Sequence, residues 1–88
     1  MAWHVDFTSG VRADLVGLEP DATEAVTDTL VTWLGNGPPR ENRRVIRGID
    51  FYETVVAERY LLAYVVDDDR QRFVVLWLRH RPSEPVSG

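Results

Sequence analysis

The sequence contains no cysteine and no lysine. Without cysteine, neither a disulfide nor a thiolate metal site can hold the fold together. Its two histidines, His4 and His80, stand at opposite ends of the chain with no ligand spacing around them, so no metal site is expected. No apolar run approaches the ~20 residues needed to cross a bilayer. The opening Met1-Ala2-Trp3-His4-Val5-Asp6 is not a signal peptide, and the expected setting is the cytoplasm, away from membranes. A glycine-rich phosphate loop is missing as well: Gly35-Asn36-Gly37 follows a helix pattern and does not join a strand to a helix. Ser9 suits a helix cap, while Ser83 and Ser87 fall near the chain end, so a serine nucleophile is unsupported. Nothing in the sequence calls for a cofactor.

What is present is 88 residues with 44% hydrophobic content, which suits one small globular domain over 1–82 with a frayed tail at 83–88. The net charge of −4 is uneven along the chain. Residues 1–34 set six acids against Arg12, whereas residues 35–66 set five arginines against four acids. Arginine supplies a planar, two-pronged donor fork but cannot act as a base near neutral pH. High-GC codon usage accounts for the arginine bias equally well.

Trp3, Val5 and Phe7 alternate with His4, Asp6 and Thr8, the pattern of a strand with one buried face. Ser9 is placed to cap a short helix whose apolar stripe is Val11, Leu15 and Leu18. Glu19-Pro20 ends it, and Asp21 with Glu24 forms a capping-box pattern for a second helix running to about Leu34, stopped by Gly35. Trp33 falls on the buried stripe of that helix. A loop follows at Gly37-Pro38-Pro39, then strand character over 43–48 and 50–57. Two runs dense in β-branched and aromatic residues, 59–66 and 73–78, flank a polar turn and read as a hairpin central in a sheet and covered on both faces. The predicted class is α+β in the order β-α-α-β-β-β, with two helices packed on a small, mainly antiparallel sheet. On this reading Trp3, Trp33 and Trp77 all pack in the core, and Tyr52 lies nearest a groove.

Two clusters carry chemical interest. Arg40, Arg43, Arg44 and Arg47 give a basic stretch beside the proline-rich loop, either a phosphate-neutralising segment or a solvated loop paired with the acidic helices. Arg79-His80-Arg81 ends the last strand, where a cationic cluster either holds an anion or only solubilises the strand end.

The layout resembles the RelE/ParE superfamily of toxins from bacterial toxin–antitoxin pairs. The matching pieces are Trp3-His4-Val5-Asp6-Phe7, Asp14-Leu15, Ile46-Arg47-Gly48-Ile49 leading into Phe51-Tyr52-Glu53, the run from Arg59 to Asp68, and Phe73-Val74-Val75-Leu76-Trp77-Leu78 before Arg79-His80-Arg81. They span nearly all of residues 3–82. The resemblance implies a small toxin neutralised by a cognate antitoxin that wraps it. The implied target is mRNA in the ribosome for the RelE branch and DNA gyrase for the ParE branch. It places Arg47 and Arg81 as catalytic candidates; His80 joins them as the side chain suited to proton transfer, and the charge pattern and strand placement give Arg40, Arg43, Arg44, Arg59, Arg79 and Tyr52 as RNA-binding candidates. The nuclease branch carries basic residues where this chain has Glu53, Val55 and Leu61, and a tyrosine after the last arginine that this chain lacks. Two readings therefore stand: an endoribonuclease, or a non-catalytic binding protein, either a ParE-like gyrase inhibitor or a degenerate toxin acting through protein association. Exposed apolar surface would be met by the antitoxin or by a homodimer.

Overall fold

The computed structural model describes residues 3–81. The chain runs β1 (His4–Phe7), α1 (Ser9–Val16), α2 (Pro20–Asn36), β2 (Arg43–Ile46), β3 (Ile49–Val56), β4 (Tyr60–Asp67) and β5 (Arg72–His80). The strands form one sheet in the order β1-β5-β4-β3-β2, antiparallel throughout except for β1, which lies parallel to β5. This is the expected α+β arrangement with one strand more. The 43–57 stretch divides into β2 and β3 around Arg47 and Gly48, whose φ angles of 52° and 78° are those of a tight two-residue hairpin turn. The tail expected over 83–88 lies outside the described residues.

Helix ends differ from expectation for local reasons. Thr8, not Ser9, caps α1: its Oγ1 accepts from the Val11 amide at 3.4 Å and donates to the Leu76 carbonyl at 2.8 Å, which ties the helix start to β5. In α2 the cap position falls on Glu19, with Pro20 in the first turn and Asp21 inside the helix, so the Asp21–Glu24 capping box does not form. Proline suits that turn because its missing N–H would have found no partner there. The helix runs through Gly35 to Asn36 and stops at Gly37, whose φ of 87° is cheap only for glycine. A Cβ at Gly37 would sit 2.9 Å from Trp3 Nε1, so the close packing of β1 against this corner also requires glycine.

Both helices cover one face of the sheet. Val11, Ala22, Val26, Leu30 and Trp33 pack against Val56, Tyr60, Leu62, Tyr64, Phe73, Val75 and Leu78. Trp33 lies at the centre, its ring 4.7 Å from Tyr64 and 5.6 Å from Phe73 by centroid. The strand register slips once: Tyr64 pairs with Val75 but Ala63 pairs with Trp77, which leaves Leu76 as an extra residue in β5. This β-bulge inverts the alternation beyond it. Phe73 and Val75 face the helices, but after the bulge Leu78 and His80 take that side, and Trp77 and Arg79 turn to the other. The hairpin of β4 and β5 is thus central as expected, but the described residues cover only one of its faces.

Candidate functional site: the open face of the sheet

The uncovered face carries Arg44, Ile46, Ile49, Phe51, Glu53, Leu61, Ala63, Trp77 and Arg79 by strand alternation. Phe51 and Trp77 meet edge to face, 5.0 Å apart at an interplanar angle of 68°. The Arg79 guanidinium lies 5.8 Å from the Trp77 ring centroid, within cation–π range. A cavity of about 370 Å³ is lined by Arg44, Val45, Ile46, Phe51, Glu53, Trp77 and Arg79. An apolar one of about 330 Å³ lies nearby, between Ile46, Ile49, Phe51, Leu76 and Trp77, with Arg47 and Thr8 at its rim. Together they form a groove with an aromatic wall and a charged end.

Glu53 sits at the charged end and is the single buried charged side chain among the described residues, at 4% exposure. Its Oε1 accepts from Arg44 Nε at 2.8 Å, while its Oε2 has no hydrogen-bond donor among the described residues and faces Arg79 Nη2 at 3.6 Å. Trp77 Nε1, buried on the same face, also lacks a partner among the described residues. The groove therefore presents two guanidiniums and an aromatic ring beside a carboxylate whose second oxygen is enclosed: a set suited to a ligand carrying an anion.

The residues singled out from the sequence divide between the two faces. Arg44, Arg47 and Arg79 border the groove, and Arg81 follows the end of β5, its amide donating to the Arg59 carbonyl at 2.7 Å. His80 does not join them: the Leu76 bulge turns it to the helix side, where its ring packs 4.7 Å from Tyr60. Tyr52 also faces the helix side, stacked on Tyr64 at 5.8 Å. Arg40 pairs with Asp68, Arg43 with Asp50, and Arg59 with Glu19 and Asp21 at the start of α2. The Arg43 and Arg40 guanidiniums hold the Asp50 and Asp68 carboxyls below the usual carboxylate range. These three arginines are thus occupied with carboxylates other than Glu53, although Arg43 lines a cavity of about 270 Å³ together with Arg44 and Glu53. Trp77, expected in the core, stands in the groove. Glu53, which the sequence marks only as a departure from a basic pattern, is its most constrained member. An acid sharing strand parity with Phe51 on an apolar face was the available signal for it.

No protein-family model matches the sequence, and no curated protein matches it. Solved structures do match in shape. The isolated RelE toxin of E. coli superposes with a TM-score of 0.76 at 24% identity, over 97% of this chain and 90% of that one. A chain of the archaeal RelE–RelB complex from Pyrococcus horikoshii gives 0.76 at 19% identity, over 96% and 100%. The toxin–antitoxin complex RelBE2 of Mycobacterium tuberculosis gives 0.66 at 26% identity, over 92% and 100%. Two helices packed on a five-stranded, mostly antiparallel sheet fit these matches, and the fold of this chain is the RelE fold.

Proposed function

We propose that this chain is the toxin of a toxin–antitoxin pair, acting in the cytoplasm, and that it arrests growth by cutting mRNA on the ribosome. The observation that carries the reading is a RelE fold over nearly the whole chain whose open face gathers Arg44, Glu53, Trp77 and Arg79 in one groove. On this account Arg79 and Arg81 hold the scissile phosphate, Arg44 and Arg47 flank the strand, and Trp77 supplies a surface on which a base can stack. His80 lies on the opposite face and takes no part. No metal or cofactor enters the chemistry, because cleavage through the adjacent 2′-hydroxyl needs only cations and proton transfer.

The partner is a cognate antitoxin. RelE chains among the matched structures occur with RelB antitoxins. In this chain β2 is an edge strand with Val45 and Ile46 exposed, beside Ile49 on β3. A strand edge with apolar side chains invites pairing by an extended segment of another chain. The product of the adjacent small reading frame should restore growth and co-purify with this chain. Growth unaffected by expression, or a homodimer that ignores that product, would overturn the reading.

One observation favours a second reading. Glu53 neutralises part of the groove's charge, which suits a non-catalytic binder directed at a protein such as DNA gyrase. Inhibition of gyrase supercoiling without cuts in mRNA would establish it.

A further inference from the structure

We propose that Glu53 is a positioning residue: enclosed in the sheet face, it holds the Arg44 and Arg79 guanidiniums in fixed places, so that both meet the RNA backbone already aligned. The inference rests on the nuclease reading above and gives Glu53 a part in it that needs no contact with the substrate. The Arg44 and Arg79 side chains are 62% and 59% exposed, the Glu53 side chain 6%. A ligand in the groove therefore touches the arginines and not the carboxylate between them.

Three strands contribute. Arg44 comes from β2, Glu53 from β3 and Arg79 from β5, with β4 between the last two. The partner of Glu53 on β4 is Ala63, whose short side chain leaves room for the carboxylate to act across that strand on Arg79. Each oxygen serves one guanidinium: Oε1 accepts from Arg44 Nε at 2.8 Å, and Oε2 faces Arg79 Nη2 at 3.6 Å. Because Arg44 is gripped by Nε, its two terminal nitrogens keep their donors for an anion, and neither has an acceptor among the described residues. Arg79 is steadied from a second side by the Trp77 ring, whose centroid lies 5.8 Å from its guanidinium.

Holding the strands together does not require this carboxylate. A buried ion pair seldom outweighs well-packed hydrophobic residues of the same volume, so leucine at position 53 would serve the sheet about as well. Leucine could not orient two arginines. A loose arginine samples many rotamers that must be frozen when it grips a phosphate, and one already held loses less. The carboxylate also has an opposing effect, since its charge offsets one guanidinium and weakens the pull of the groove on RNA. The charge effect acts on binding, whereas alignment counts most when charge gathers on the phosphorane oxygens. Removing the charge at position 53 should therefore tighten binding and yet slow cleavage.

Affinity for programmed ribosomes and single-turnover cleavage of their mRNA, measured side by side, test the assignment. Glu53→Leu should cut about 10–100-fold more slowly at saturating toxin. It should bind at least as tightly as wild type, with a steeper salt dependence, because one more cation is free to meet a phosphate. Glu53→Gln keeps an acceptor for Arg44 Nε without the charge, and its rate should fall between the two. Should both Glu53 variants fail to fold, Arg44→Lys makes the comparison from the exposed side of the pair. Lysine keeps the charge but cannot bond Glu53 through one nitrogen and a phosphate through others, so cleavage should slow about 10-fold or more at unchanged affinity. A folded Glu53→Leu that cuts at the wild-type rate overturns the assignment, as does one whose affinity falls along with its rate, the mark of a merely deformed groove. Arg44→Lys cutting at the wild-type rate overturns it equally. A wild type that makes no cut overturns the nuclease reading and this assignment with it.

Discussion

Arg44 and Glu53 meet diagonally across β2 and β3, an exposed guanidinium bonded at 2.8 Å to a buried carboxylate. The pairing ties the edge strand to the sheet by a side chain as well as by the backbone ladder. Removing Arg44 strips Glu53 of its one hydrogen bond and leaves Arg79 at 3.6 Å as the remaining cation. Because the guanidinium is mostly solvated, Arg44→Ala should cost about 1–2 kcal/mol, below the penalty for a fully buried pair. Urea melts of the variant check this, and Glu53→Gln, which buries no charge, should cost less than Arg44→Ala.

Trp33 joins α2 to the sheet, 7% exposed and in ring contact with Tyr64 and Phe73. Trp33→Ala should cost about 3–5 kcal/mol. A domain of this size has only on the order of 5 kcal/mol to lose, so the variant should be largely unfolded at 37 °C. Circular dichroism melts report this directly.

How much of this was legible in the sequence depends on the scale of the feature. The α+β class, the central β4–β5 hairpin and the Trp33 stripe follow from periodicities of 2 and 3.6, which the chain displays openly. The extra residue at Leu76 leaves no such mark, because Val74-Val75-Leu76-Trp77 is apolar at every position and fits either alternation. That one residue decides whether Trp77 joins the core and which of Arg79 and His80 faces the groove. The start of α2 is ambiguous in the sequence for a similar reason: Pro20 ends one helix and serves equally well inside the first turn of the next. Glu53 was visible as an odd charge on a strand, but its burial depends on Arg44 and Arg79, drawn from two other strands.

The bulge makes a functional forecast about His80. With its ring against Tyr60 on the helix side, it has no path to a substrate lying on Trp77. His80→Ala should therefore leave the cleavage rate within about threefold of wild type, far short of the 10²–10⁴-fold loss expected of a proton-transfer residue. Single-turnover rates at saturating enzyme decide it.

Tyr64 is fully buried and donates its hydroxyl to the Pro39 carbonyl, and burial pushes its ionisation well above the ordinary tyrosine value. The folded state thus resists losing a proton that the unfolded chain releases near pH ~10. The contribution is whole below that pH and is lost as pH rises beyond it toward the folded value. Tyr64→Phe should lower stability at neutral pH, through loss of the hydrogen bond, but flatten the decline above pH ~10. Chemical melts at neutral and strongly alkaline pH separate the two effects.

The central claim is that this RelE fold works through the open face of its sheet, and primer extension on mRNA from expressing cells tests it most directly. Wild type should arrest growth and leave discrete cuts. Arg79→Ala with Arg81→Ala should abolish both while the protein stays folded and bound to its antitoxin. Arg70→Ala, in the turn at the far end of β5, should cut as wild type does. Identical cuts from the wild type and the Arg79/Arg81 double variant would contradict the account.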